Sequence, residues 1–212
     1  MLQSHPPAIF IADTLGLDFI NSIATPVDTP VDWIADGEGL LRWLRQADLV
    51  PSDVIDELKV GAVAGELDKV ADLARDLREW FRGFVRKHMG RPLTPKALRE
   101  LEPLNRLLER DEAFSRIVPH RHEDRDGGGD GFTLERTRRW RSAESLLLPV
   151  GEAMAKVVCE ESFTDIKACE GPACTLMFAD HTRARARRWC SMAICGNRAK
   201  QAAHRNRIKD RG

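Results

Sequence analysis

Four cysteines in the last quarter of the chain limit its fold more than any other feature: Cys169, Cys174, Cys190 and Cys195. They are spaced C-x4-C, fifteen residues, C-x4-C. Two close pairs across a hairpin-sized interval match a tetrahedral all-thiolate metal site. Zinc takes four such soft, deprotonated donors, and closing each short local pair costs little loop entropy. With all four positions filled by protein, no place is left for a reacting water. One structural zinc is therefore expected, not a catalytic one. A terminal module of about 44 residues buries too little surface to fold alone, so the metal is expected to hold it.

The same stretch carries a charge excess. Residues 181–212 hold ten Lys and Arg against one acid, Asp210, although the chain as a whole has 33 of each sign. The remaining residues, 1–180, are left with 23 bases and 32 acids. A body near −9 repels a polyanion. A tail near +9 can bind one, or can dock on the body itself. Residues 1–10 place His5, Pro6 and Pro7 where a leader would need an apolar core, and no run approaches the ~20 apolar residues of a membrane span. A cytoplasmic chain without membrane contact is expected, and there thiol pairs ligate metal more often than they form disulfides. The fifth cysteine, Cys159, falls in an apolar helical pattern and reads as a small buried hydrophobe.

Apolar periodicity predicts a mainly α fold with a small β-hairpin. A helical amino-terminal domain over 1–163 is followed by a treble-clef-like or ribbon-like zinc finger over 164–212. Helices are expected over 37–47, from Ser52, over 62–89, from Thr94 with Pro95 at its first position, and over 142–161. In the longest, Val70, Leu73, Leu77, Trp80 and Phe84 recur at spacings of three and four as a packing stripe, with Arg78, Glu79 and Arg82 on the other face. Leu98, Leu101, Leu104 and Leu108 form the next stripe, with a kink at Pro103. The hairpin strands flank the glycine run at 127–129. Neither that run, which no lysine follows, nor the cluster His120, His122, Glu123 and Asp124 makes a convincing phosphate or metal site. Near the start, Asp18 and Asn21 interrupt an apolar segment carrying Leu17, Phe19 and Ile20. They are the candidate ligand contacts of the front domain, a buried hydrogen-bond network being the other reading.

Within the finger, Gly171 and Pro172 supply the turn of a knuckle, and Leu176, Met177 and Phe178 a short strand that returns through Arg187 and Arg188 to Cys190. Cys195 is expected at the start of a helix over 196–209, where free N–H groups favour a thiolate. The candidate nucleic-acid contacts are Arg183, Arg185, Arg187, Arg188, Arg198, Lys200, Arg205 and Lys209. Arg183, Arg185 and Arg187 alternate, as on one side of an extended segment. Arg198, Arg205 and Lys209 share a helix face with Lys200 beside it. Asn197 and Arg198 stand so close to Cys195 that supporting the metal site is an equal role for them, and Trp189 reads as finger packing.

The segment at 187–200, with its Cys195-Gly196-Asn197-Arg198, resembles the signature of the CGNR zinc-finger family. Leu17, Asp18, Phe19 and Asn21 are similar to the Leu-Asp-Phe-x-Asn that opens the amino-terminal ABATE domain of that family's members. The resemblance implies a regulator of transcription tied to stress, with DNA as partner. An unknown small-molecule effector and a protein partner or homodimer are further expectations, a front domain of this kind being suited to sensing, dimerising or both. The alternative is a zinc-dependent protein-interaction or RNA-binding module. No nucleophile–base pairing or paired carboxylates stand out, so an enzyme is not expected.

Overall fold

The six-residue helix α1, Leu15–Ile20, is the hub of the molecule: Gly16, Leu17, Asp18, Phe19 and Ile20 are all buried. Its neighbours are identified below in a computed structural model that describes residues 6–25, 29–119 and 131–209. Side chains at 203, 204 and 206–209, and the His120, His122, Glu123 and Asp124 cluster with its glycine run, lie outside the described residues. The helices are α2 (Gly37–Gln46), α3 (Ser52–Gly61), α4 (Glu66–His88), α5 (Glu102–Leu108, after a 3-10 turn at Pro95–Leu101), α6 (Leu148–Glu160, after a 3-10 turn at Ala143–Leu147) and α7 (Asn197–Lys209). Three antiparallel pairs complete it: β1 (Ile23–Ala24) with β2 (Val31–Asp32), β3 (Ala113–Pro119) with β4 (Phe132–Arg138), and β5 (Ile166–Ala168) with β6 (Met177–Ala179).

Close approach sets where α1 sits. A Cβ on Gly16 would lie 2.5 Å from the Ala153 carbonyl oxygen, so only glycine lets α1 lie against α6. On its other sides α1 meets α4 and β6. One apolar cluster runs from Leu17, Phe19 and Trp43 through Phe81 and Met154 into Leu176, Met177 and Phe178 of the finger.

The buried face of α4 is rotated from the predicted stripe. Val70 and Phe84 are buried, but Leu73 is exposed and Leu77 and Trp80 are half-buried; Ala71, Ala74, Phe81 and Val85 take the inner positions. Arg78 and Arg82, predicted to face water, are buried. The cause is a polar demand that periodicity does not register. Arg78 makes a bidentate pair with Asp32, both contacts 2.8 Å, and reaches the Ser22 hydroxyl. Arg82 donates to the carbonyls of Ile20 and Ile23, beyond which α1 has no helical donors to offer. The Asp32 carboxyl would be raised by burial, but Arg78 outweighs this and holds it below the usual carboxylate range.

Two further expectations are corrected. Leu98 is exposed and Leu107, not Leu108, is fully inside, because residues 95–101 wind at three residues per turn and shift the phase. Cys159 is exposed: α6 buries Val150, Ala153, Met154 and Val157, and position 159 falls on its outer side.

Phe81 is fully buried and stacks on Phe84 at 6.0 Å, whereas Trp80 is half-buried. Phe81→Ala is expected to cost about 3–5 kcal/mol and Trp80→Ala about 1–2 kcal/mol in denaturant unfolding. The reverse order would contradict the face assigned to α4.

Candidate metal centre

The β5–β6 hairpin brings the first cysteine pair together. Its register sets Ala168 opposite Met177, so Cys169 and Leu176 come next, and the Cys169 N–H donates to the Leu176 carbonyl at 2.9 Å. The knuckle is thus the loop of this hairpin. It does not precede one, as the sequence suggests, and the returning segment at 187–190 is no strand; it meets the knuckle through the Glu170 N–H, which donates to the Arg188 carbonyl at 2.9 Å, and through the Cys190 N–H, which donates to the Cys169 sulfur. A π-helical turn, Met192–Gly196, carries Cys195 and leads into α7. Ser191 caps that turn, its hydroxyl accepting from the N–H groups of Ala193 and Ile194.

All four sulfurs lie within 4.8 Å of one another. Cys174 and Cys190 are 3.8 Å apart and Cys190 and Cys195 3.6 Å. A tetrahedron with Zn–S bonds of about 2.3 Å has edges of about 3.8 Å, so the set fits one zinc ion. The Cys169 sulfur accepts from the N–H groups of Gly171 (3.4 Å) and Cys190 (3.2 Å), as a thiolate would. A Cβ on Gly171 would stand 2.9 Å from the Cys195 sulfur, so space beside the sulfur cluster selects glycine there.

Proton energetics point the same way. The thiol of Cys190 hydrogen-bonds that of Cys174 and pulls Cys174 down to about 5. Once Cys174 is ionised, that same hydrogen bond, burial and like charge push Cys190 up, and burial pushes Cys195 up to about 12. Ionising Cys174 thus opposes ionising Cys190 and Cys195, an opposition that a cation at the centre of the sulfurs would lift. Four cysteine thiolates with no open position give that zinc a structural role.

The loop after β6 is organised by a fully buried carboxylate, Asp180. It accepts from Lys167 Nζ (2.7 Å), from the Thr182 N–H and hydroxyl, and from the Arg187 N–H. Burial would raise this carboxyl, but the four donors hold it well below the usual carboxylate range. Asp180 and Lys167 are not among the site residues expected from the sequence. The Asp-x-Thr spacing at 180–182, typical of a side chain turning onto its own backbone, was the available signal.

Arg187 turns inward. Its guanidinium lies 4.1 Å over the Phe178 ring, pairs with Asp13, and donates to the carbonyls of Ile11, Trp189 and Cys190. The predicted extended row of Arg183, Arg185 and Arg187 is absent: residues 182–185 form a turn with Arg185 at φ +48°. Arg183 is exposed and unpaired among the described residues; Arg185 pairs with Asp165 and donates to the Asp180 carbonyl; Arg188 pairs with Glu170. On α7, Asn197, Arg198, Lys200 and Arg205 are exposed, while the Lys209 side chain lies outside the described residues. Trp189 is half-buried beneath Arg188.

Asp18 and Asn21 are buried and occupied by the protein's own backbone. Asp18 accepts from the N–H groups of Ile11 and Ala12, at 2.9 and 3.0 Å. Burial pushes its carboxyl up to about 6 against the pull of those donors. Asn21 donates to the Met177 carbonyl (2.7 Å) and accepts from the Met177 N–H (3.0 Å). Beside it, the Ala179 N–H donates to the Ala12 carbonyl at 3.0 Å. The two polar residues of α1 thus join the front of the chain to the finger.

A family model for ABATE, described as "Putative stress-induced transcription regulator", matches residues 13–161. A second, for the CGNR zinc finger, matches residues 166–208. Among curated proteins none matches this chain.

Elemental analysis of freshly purified, reduced protein is expected to give one zinc per chain. Gly171→Val, which places methyl groups against the Cys195 sulfur, is expected to weaken zinc retention against a competing chelator by tenfold or more, about 1.4 kcal/mol. Unchanged retention would mean that the knuckle is looser than its contacts indicate.

Proposed function

The chain belongs to the ABATE family, and from that premise we propose that it is a stress-linked transcription regulator that binds DNA through its zinc finger. The carrying observation is the sorting of the finger's cations. Arg187 is spent on structure and Arg185 largely so, whereas Arg183, Lys200 and Arg205 are exposed and make no ion pair with any described residue. Arg188 holds only an exposed pair with Glu170, an attachment of small energy that a phosphate can replace. Arg198 stands exposed at the head of α7, beside the knuckle. The acidic balance of residues 1–180 repels a polyanion, so the finger face leads the encounter. The described helices include none long and apolar enough to cross a membrane.

Zinc sets this surface in place. Cys195 and the Ser191-capped π turn fix the first turn of α7, and the sulfur cluster fixes Cys190 two residues beyond Arg188. Exposed lysines and arginines on a rigid support contact phosphates without reading bases, which gives affinity that falls steeply with salt.

With about three phosphates met by Arg183, Lys200 and Arg205, log affinity for duplex DNA should fall with log salt at a slope near −2.7, each contact contributing ~0.9. Each single change to Ala should flatten the slope by about 0.9. Arg187→Ala should instead lower thermal stability. Anisotropy at several salt concentrations measures the first effect and melting the second. Absence of binding by zinc-loaded protein at ~50 mM salt would overturn the DNA reading.

A further inference from the structure

The β3–β4 hairpin reverses the usual arrangement of a half-buried sheet: its apolar face looks into water. The register sets Ile117 opposite Leu134 and Pro119 opposite Phe132, and cross-strand partners share a face. Ile117, Leu134 and Phe132 are 73%, 70% and 75% exposed, and Pro119 is exposed with them. None of the four joins the apolar core. The opposite face is satisfied from within. There Arg116 pairs with Glu135, Arg139 lies 5.3 Å over the Phe114 ring, and Val118 is half-buried. The body holds the hairpin at its base, where Arg138 pairs with Asp111 and with Glu152 of α6. No other described helix or strand packs broadly on the two strands. A two-stranded ribbon is marginal alone in water, and a contiguous apolar face on one calls for a cover.

We propose that the cover is the same face of a second copy of this chain, the two hairpins packing apolar face on apolar face about a two-fold axis that crosses the strands at Ile117 and Leu134. Two properties of the face select a copy of itself. The first is area. Fully covered, the three large side chains with Pro119 and the stem of Arg136 amount to on the order of 500 Å² per copy, so about 1,000 Å² in a symmetric pair, the lower limit of a specific interface. The second is self-complementarity. Phe132 and Arg136 share this face, two residues to either side of Leu134. Antiparallel arms on that axis set Arg136 of each copy against Phe132 of the other, keep the two arginines apart, and place the two bodies at opposite ends. Arg136 is loosely held: it is 68% exposed and meets Glu152 at 3.8 Å, a carboxylate that Arg138 and Lys156 hold closer, at 2.8 and 3.3 Å. A guanidinium over an aromatic ring is a contact the hairpin already makes within itself, Arg139 on Phe114 and Arg138 on Trp140.

Sedimentation equilibrium of the zinc-loaded full chain, from ~1 to ~300 µM, tests this. The expected result is a monomer–dimer equilibrium with a Kd of about 10–100 µM, in keeping with an interface of the smallest specific size. Leu134→Glu should raise that Kd at least tenfold. Thr133→Glu places the same charge one residue away on the polar face and should leave the Kd within about threefold. Arg136→Gln should raise it about threefold through loss of the contact with Phe132. Leu134, Thr133 and Arg136 are all exposed, so each variant should keep the zinc content and melting temperature of the parent. A monomer at every concentration, a dimer that Leu134→Glu leaves unchanged, or one that Thr133→Glu weakens as much, would overturn the interface. A Kd unmoved by Arg136→Gln would overturn the antiparallel arrangement. The measurement uses no DNA, so its outcome is independent of whether the finger binds DNA.

Discussion

The carboxamide of Asn21 holds both hydrogen-bonding groups of Met177, and much of the molecule depends on that pairing. It treats β6 as a neighbouring strand would, but from the end of a helix. Ala12 extends the contact to Ala179, and Arg187 closes it by gripping Ile11 and Asp13 on one side and the Cys190 carbonyl on the other. β6 is therefore bonded to β5 on one edge and to the amino-terminal segment through Asn21 and Ala12, with Leu176, Met177 and Phe178 buried in the common core. Removing the Asn21 amide would leave a buried N–H and a buried carbonyl without partners, the costly kind of loss. Zinc fixes the cysteine end of the same hairpin, so metal and front domain act on one short piece of backbone.

Ion pairs inside the molecule take part of its charge out of the exposed set. Arg78 is neutralised by Asp32, Lys167 by Asp180 and Arg187 by Asp13, each in a polar cage that a lone apolar residue could not replace without leaving orphans. Among the described residues of the finger the exposed bases are Arg183, Arg185, Arg188, Arg198, Lys200 and Arg205, and of these Arg185 is held by Asp165 and the Asp180 carbonyl. The functional reading rests on that subset, not on the full count in residues 181–212.

Much of this was legible beforehand. The cysteine spacing gave the metal set, Gly171 and Pro172 gave the knuckle, periodicity gave the helices, and the segments flanking the glycine run gave the β3–β4 hairpin. The family match agrees with the resemblance seen in Leu17 to Asn21 and in Cys195 to Arg198. The failures share a cause. Local pattern places Arg78, Arg82 and Arg187 in water because it cannot see Asp32, the Ile20 carbonyl or Asp13, which lie far away in sequence. The alternating arginines looked extended because the backbone turn at Arg185, set by the Asp180 cage, depends on Lys167 across the hairpin. Asp18 and Asn21 stood out correctly as polar residues in an apolar segment. Only the fold shows that backbone of the amino-terminal segment and of the finger occupies them.

The central claim is that the finger and the helical front share one core and one hydrogen-bonded junction. Scanning calorimetry of the zinc-loaded chain and of the same chain stripped by a chelator under reducing conditions tests it most directly. The account predicts a single transition for the loaded chain that moves as a whole to lower temperature when zinc is removed. Two transitions, with the larger one unmoved by zinc removal, would show that the front folds without regard to the finger and would contradict it.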